Sequence, residues 1–244
     1  MRVLANLGPS NVAALSSEFE NASATEVLRW AYDQFGSAAA IGTSFQGAGI
    51  VAIHHAVAAG LPLAVFTIDT GLLFPETIEL KSRLEQYFGI MIESLIPEYT
   101  VEQQGEQVGP KLWARNPDLC CTLRKVEPLQ KKLGTLDAWI AGLRREQSAG
   151  RSRIQILELY EFDRIRQKNI LKVNPLARWS RDQVWDYIRK NGIPYNPLLD
   201  RGYRSIGCQP CTGVVGSGQE DRAGRWTGFD KTECGIHTFL GERI

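Results

Sequence analysis

The five cysteines of the chain fall in three places: the vicinal pair Cys120-Cys121, the pair in Cys208-Gln-Pro-Cys211, and a single Cys234 near the end. Four thiols in two close pairs make a donor set for a metal centre and leave a fifth thiol over. A CxxC on its own serves zinc sites, thioredoxin-like redox pairs and iron–sulfur centres alike. Its partner here is a CC pair, whose short tether strains a tetrahedral site around a single ion. A four-iron cube spreads its ligand positions farther apart. The pattern therefore leans toward a 4Fe-4S cluster on Cys120, Cys121, Cys208 and Cys211; a zinc site and a vicinal disulfide switch stay open. Cys234 adjoins Glu233 and Gly235, with Lys231 and His237 each three residues away. Nearby cations favour the nucleophilic thiolate. A lone cysteine is otherwise a small buried hydrophobe, but a thiol in a glycine-rich tail suits a covalent intermediate handed to a partner.

These groups need a scaffold. The chain has 244 residues, 43% hydrophobic and 23% charged, enough for one large domain with an ordinary core. A formal net charge of +1 argues against a nucleic-acid binder, which needs a clear basic excess. The opening MRVLANLGPS lacks the apolar run of a signal peptide, and the apolar stretch 48–66 is broken by His54-His55 and by Gly60-Leu61-Pro62. The expectation is a cytoplasmic protein with no membrane partner, whose cysteines are ligands or reactants and not disulfides.

Residues 1–36 read as a helical lead-in with a capping box at Ser23–Glu26. Apolar runs at 38–42, 63–68, 90–95 and 138–142 read as buried strands, alternating with helical patterns. Strands alternating with helices imply an α/β fold: a single-domain, doubly wound, mostly parallel sheet that binds ligands beyond the carboxyl ends of its strands. The loops 43–49 and 69–74 belong at that edge. The small-residue loop Thr43–Gly49 offers backbone N–H groups to a phosphate. Arg144 and Arg145 follow the fourth strand, placed to fork onto an anion. His54 and His55 read as structural. Residues 97–119 look polar and loop-like, 154–173 strand-rich, and Ser180–Gln183 caps a further helix. The glycine-rich segment from Gly213 is expected to be mobile. The divisions are thus 1–36, the nucleotide-binding domain with the cysteine site at 37–212, and a tail at 213–244 carrying Cys234.

Taken together, Ile68-Asp-Thr-Gly-Leu-Leu-Phe-Pro-Glu76, Asn116-Pro-Asp-Leu-Cys-Cys121 with Arg124-Lys125, Gly142-Leu-Arg-Arg-Glu-Gln-Ser148, Gly207-Cys-Gln-Pro-Cys211, Arg222-Ala-Gly-Arg-Trp226 and Lys231-Thr-Glu-Cys-Gly-Ile-His237 resemble the assimilatory adenylyl-sulfate reductase family. These thioredoxin-dependent enzymes reduce adenosine 5′-phosphosulfate (APS). The resemblance covers about residues 37–240. It implies an adenine-nucleotide α-hydrolase-like fold. Where the related ATP pyrophosphatases carry SGGxDS, this loop reads Ser44-Phe-Gln-Gly-Ala-Gly49, which fits a monophosphate derivative. The implied chemistry is attack of Cys234 on the substrate sulfur, release of AMP, and release of sulfite from the S-sulfocysteine by thioredoxin or a glutaredoxin-like reductant, in sulfate assimilation toward cysteine. By motif, Lys125, Arg222, Arg225 and His237 contact the phosphosulfate and offset its charge. The loop positions make Ser44, Phe45, Gly47 and Leu73 neighbours of the adenosine. One cluster per subunit tunes electrostatics and order without passing electrons. The 3′-phosphorylated substrate (PAPS) is the nearest alternative; a tRNA-thiolating protein and a zinc or redox sensor are the more distant ones. Association into a homo-oligomer is left open.

Overall fold

Apolar runs and capped amphipathic stretches alternate along the chain as the local signals require. The computed structural model describes residues 8–163, 168–231 and 233–237, without the side chains of Glu161 and Asp163. The outer ends of the lead-in and the tail, residues 1–7 and 238–244, and Thr232 lie outside the described residues. In chain order the elements are α1 (Pro9–Glu18), α2 (Ala24–Phe35), β1 (Ala39–Thr43), α3 (Gly47–Ala58), β2 (Ala64–Ile68), α4 (Pro75–Phe88), β3 (Ile92–Leu95), α5 (Val101–Val108), α6 (Leu112–Arg115), α7 (Pro117–Cys121), α8 (Glu127–Leu133), β4 (Ala138–Ala141), β5 (Leu157–Asp163), β6 (Lys168–Val173) and α9 (Arg181–Lys190).

The strands lie in the order β3-β2-β1-β4-β6-β5. All neighbours are parallel except the edge pair β5–β6. The chain runs outward from β1 through β2 to β3, then returns to place β4 on the other side of β1. That reversal is a topological switch point, and it opens a crevice beyond the carboxyl ends of β1 and β4. The sheet centre is apolar on both faces, as parallel strands covered by helices must be: Ala39, Ala40, Ile41, Ala138, Ile140 and Leu171 have no appreciable exposure. α3 is buried from Ala48 through Ile53 and at Ala56.

Local signals set the helix ends. Ser23 Oγ accepts from Glu26 N at 3.2 Å while the Glu26 carboxylate accepts from Ser23 N at 2.7 Å. Ser180 and Gln183 do the same for α9. Pro75 opens α4 and Gly89, left-handed at φ 66°, ends it.

The segment 97–119 departs from the expected loop. It holds α5, α6 and α7. A Thr100/Gln103 capping box starts α5, and Asn116 Oδ1 accepts from Leu119 N at 3.0 Å to start α7. The segment's polarity concealed a T-x-x-Q signature that needs no apolar face. In 154–173 the strand-rich reading resolves into two antiparallel strands, β5 and β6, which end the parallel sheet.

His54 and His55 are structural, as expected. His54 Nδ1 lies 2.9 Å from Tyr187 Oη, and His55 Nδ1 lies 2.9 Å from Thr25 Oγ1. The His55 ring stacks on Tyr187 with centroids 4.7 Å apart, and its Nε2 is buried with no hydrogen-bond partner among the described residues. Burial, helped by His54, pushes the His55 pKa from 6.5 down to about 4. A second ring proton would have no acceptor. Between those two values the unfolded chain binds more protons, so this contribution to stability is complete above about pH 6.5 and is lost as pH falls toward about 4. The melting temperature is expected to drop across that window, and to drop less in His55→Gln. An equal pH slope in the two proteins would rule out His55 as the cause.

Candidate active site

The crevice at the switch point is a cavity of about 240 Å³. Its floor is the β1–α3 connection. Phe45 adopts a left-handed φ of 57° although it is bulky and 2% exposed, with its N–H donating to Thr43 Oγ1 at 3.0 Å. Such strain persists only where the surroundings over-determine it. It turns the chain so that α3 begins at the cavity. Gly142, at the end of β4, permits a close backbone approach: a Cβ there would stand 2.6 Å from Gly49 N. Backbone from β1–α3 and from β4 therefore meets at the head of the crevice.

The loop after β2 carries one sulfur. Leu73 and Cys208 form an antiparallel bridge, Gln209 N donates to Leu72 O at 2.8 Å, and Thr70 Oγ1 lies 3.3 Å from Cys208 Sγ. The vicinal pair closes α7 and continues into a π-helical turn, Thr122–Val126, before α8. Widened turns of this kind recur at functional sites. Within it Arg124 turns inward, 3% exposed, donating to Thr70 O at 2.5 Å and Gln104 Oε1 at 3.0 Å. It ties the β2 loop to the cysteine helix, while Lys125 lines the cavity.

The tail covers the opening. Thr212 pairs with Arg225, and Gly213 N donates to Gly224 O at 2.7 Å. Arg225 Nε donates to Cys211 O at 3.2 Å, and its guanidinium lies 4.4 Å from the centroid of the buried Trp226 ring. Lys231 lies over the same ring and pairs with Asp118 beside the vicinal cysteines. Glu233 pairs with Arg151 and Arg222. His237 stacks on Trp139 of β4, centroids 5.2 Å apart and planes 12° from parallel.

Of the residues singled out in the sequence, Ser44, Phe45, Gly47, Leu73, Lys125, Arg144, Cys208, Arg222, Arg225, Cys234 and His237 all line this one cavity. Arg145 does not. Its guanidinium pairs with Glu20 and its Nε donates to Ile154 O at 2.7 Å, outside the crevice. Arg144 is buried and held by Glu146 and the Trp179 carbonyl. Arg151, which stands close behind Arg144 and Arg145 in the arginine-rich stretch after the same strand, lines the cavity as well. Its signal was weak, because nine residues of loop separate it from β4. Glu233, Trp139 and Asp221 also line the cavity unannounced.

Burial, with Lys172, Arg151 and Arg222 nearby, pushes the His237 pKa well below the ordinary imidazole value, and the ring packs on the Trp139 indole face.

The sulfurs behave as one group. All five cysteines are free thiols. Burial, then the charges of Cys121, Cys208 and Cys211, push the Cys120 thiol up to about 12. Burial pushes Cys121 up to about 11 against the pull of Lys125. Cys211 is raised by burial and by Cys208. Cys208 goes the other way: burial opposes its thiolate, but Lys125, the Thr70 hydroxyl and Arg225 together overcome that. Lys125 in turn is held above its ordinary value, against burial, by Cys208, Cys234 and Cys121. Cys120, Cys121, Cys208 and Cys211 are thus near enough to act on one another, and Lys125 is acted on by Cys208, Cys234 and Cys121. Among the described residues no group of three His, Cys, Asp or Glu side chains is drawn together as a metal ion would draw it. A single tetrahedral ion would bring thiolates to roughly 4 Å apart, given Zn–S bonds near 2.3 Å. A wider inorganic core makes no such demand. The soft, all-sulfur, buried donor set fits iron–sulfur chemistry.

A mostly parallel α/β sheet, a crevice at its switch point, and a wall of arginine and lysine define a fold and site for an anionic, nucleotide-sized ligand. The phosphoadenosine phosphosulfate reductase domain family matches residues 38–214, and the chain belongs to that family, whose members are oxidoreductases acting on sulfur groups. It is 42% identical over 230 residues to "Adenosine 5'-phosphosulfate reductase" of Salinibacter ruber, covering 94% of this chain and 89% of that one. It is 43% identical over 213 residues to "Adenosine 5'-phosphosulfate reductase 2" of Bacillus subtilis, covering 87% and 88%. The phosphate complex of phosphoadenylyl-sulfate (PAPS) reductase from Candida auris superposes with a TM-score of 0.73 at 31% identity, covering 86% of this chain and 98% of that one. Candida glabrata FMN adenylyltransferase, 10% identical with a TM-score of 0.55 over 81% of this chain and 63% of its own, shares the adenine-nucleotide α-hydrolase-like fold alone.

Proposed function

We propose that the chain reduces adenosine 5′-phosphosulfate to sulfite and AMP, with Cys234 as nucleophile and a thioredoxin-type dithiol as reductant. The observation that carries this is the position of Cys234: it lines the same cavity as Lys125, Arg151, Arg222 and Arg225, at the switch point where nucleotides bind in such sheets. Its relatives in Salinibacter ruber and Bacillus subtilis, at 42% and 43% identity, are adenosine 5′-phosphosulfate reductases.

The adenosine lies against the floor formed by Ser44, Phe45 and Gly47, with Leu73 beside it. The phosphosulfate faces Lys125, Arg151, Arg222 and Arg225, whose charges offset its two negative groups in a low-dielectric site. The Cys234 thiolate attacks the sulfonyl sulfur. A Cys–S to sulfonate bond forms, the bond from that sulfur to the bridging oxygen breaks, and AMP leaves with the electron pair. One thiolate of the dithiol then attacks Cys234 Sγ and expels sulfite with its electron pair. The second thiol closes the reductant's disulfide and returns the Cys234 thiolate. The dithiol loses the two electrons that take sulfate-level sulfur to sulfite.

Cys120, Cys121, Cys208 and Cys211 are the residues to hold the 4Fe-4S cluster. A bound cluster would supply a net charge of about −2 near Lys125 and so favour that lysine's protonated form. The CC and CxxC pairs, by the family resemblance, favour the unphosphorylated substrate over its 3′-phosphorylated form.

Incubation with adenosine 5′-phosphosulfate and no reductant tests the reading. The expected result is one AMP per Cys234, with a sulfite-sized mass increase on the peptide holding Cys234, and a faster burst than with the 3′-phosphorylated substrate. AMP release without any adduct would defeat the covalent route.

A further inference from the structure

The tail carries its own anion into the cavity. Glu233 immediately precedes Cys234, and its side chain is 19% exposed. Arg151, 10% exposed, donates Nε to Oε1 at 3.1 Å and Nη2 to Oε2 at 2.9 Å. Arg222 donates Nη2 to Oε2 at 3.1 Å from the other side. All three side chains line the cavity beside Cys234 and Lys125. A planar carboxylate gripped by two parallel bonds from one arginine, with a second arginine on the same oxygen, is the arrangement arginine also makes with phosphate. Around the cavity, cationic side chains outnumber carboxylates seven to two. The other carboxylate, Asp221, is engaged by Arg181 and Arg204.

We infer that Glu233 is a positioning residue that stands in for the substrate: in the free enzyme its carboxylate occupies the anion position between Arg151 and Arg222, and the phosphate group of the incoming nucleotide displaces it. This rests on the proposed function, in which those two arginines take the substrate's anionic group. Three consequences follow from geometry alone. The arginines are never left as unpaired, partly buried charges, which would be costly. Because Glu233 and Cys234 are adjacent, the exchange that seats the nucleotide also frees the nucleophile from its anchor. When AMP has formed, return of Glu233 competes with its phosphate and speeds its departure. The measured affinity for nucleotide is then the intrinsic affinity reduced by the fraction of molecules in which Glu233 has let go.

AMP binding by calorimetry to the holoenzyme tests this, with the wild type, Glu233→Gln and Glu233→Asp compared. Glutamine keeps the shape and removes the charge. It is expected to bind AMP about tenfold more tightly than the wild type and to let iodoacetamide alkylate Cys234 faster in the free enzyme, read by peptide mapping. Aspartate keeps the charge and is expected to return both readouts toward wild type. A carboxylate that merely braces the site gives the opposite sign: weaker AMP binding in the glutamine variant. Equal or weaker binding in Glu233→Gln, with a wild-type melting temperature, overturns the inference and leaves the proposed function standing. A Glu233→Gln protein that melts early is replaced by the aspartate comparison, in which AMP affinity far above wild type would equally overturn it. Failure of the wild type itself to bind AMP removes the proposed function instead.

Discussion

Cys234→Ser is expected to bind AMP as the wild type does and to release no sulfite from adenosine 5′-phosphosulfate. The oxygen is a far weaker nucleophile at neutral pH than a thiolate. An O-sulfonate on serine would also be a dead end, since a dithiol cannot displace sulfite from oxygen as it does from sulfur. Removing the nucleophile in covalent catalysis costs roughly 10⁴- to 10⁶-fold in turnover. Binding should survive because Cys234 lies on the tail, while the floor of the cavity comes from Ser44–Gly47 and Gly142 and the cationic wall from Lys125, Arg151 and Arg222. Sulfite release assayed with a dithiol, beside AMP calorimetry, reads both halves. Turnover within tenfold of wild type would move the sulfur acceptor elsewhere, and then the AMP-binding half would still locate the nucleotide.

Cys208→Ser is expected to lose iron and acid-labile sulfide, to lower turnover at least about 100-fold and to lower the melting temperature. Cys208 is 6% exposed and bridged to Leu73, with the Thr70 hydroxyl on its sulfur. It therefore joins the cysteine group to the loop that lines the cavity. Loss of one thiolate from a four-thiolate set removes binding free energy that is also folding free energy, and it releases Lys125 from a neighbour that holds it charged. Iron and sulfide analysis after anaerobic purification, with absorbance and thermal melts, reads each effect. A Cys208→Ser protein with full iron and sulfide would refute the ligand set; a colourless wild type holding zinc would replace the cluster with a single-ion site.

With its imidazole stacked on Trp139 and burial disfavouring its charged form, His237 anchors the far side of the tail after Cys234. Lys231 anchors the near side through Asp118, on the helix of the vicinal cysteines. Cys234 thus hangs between an attachment to the helix of the vicinal cysteines and one to the sheet, with Glu233 beside it held by Arg151 and Arg222.

Much of this protein was legible in its residues because the signals are local. A capping box at Ser23 or Ser180 is complete within three residues, an apolar run declares a covered strand, and a strand followed by small residues declares a loop at the carboxyl edge. The grouping of the cysteines into two close pairs and a single thiol needs only their spacing. The Thr100 box was as local as the others but was hidden by a polar context. What the tertiary structure alone decided are pairings between distant segments. Arg144 and Arg145 are neighbours in sequence, yet extended backbone at Arg144 sends one to the cavity and the other to Glu20 on the lead-in. Arg151 meets Glu233 across 82 residues, and Trp139 of β4 meets His237 near the far end of the tail. Such contacts depend on where crossovers carry each strand end. Charge and protonation in this site therefore follow from packing, since burial and the nearest opposite charge are properties of space and not of sequence order.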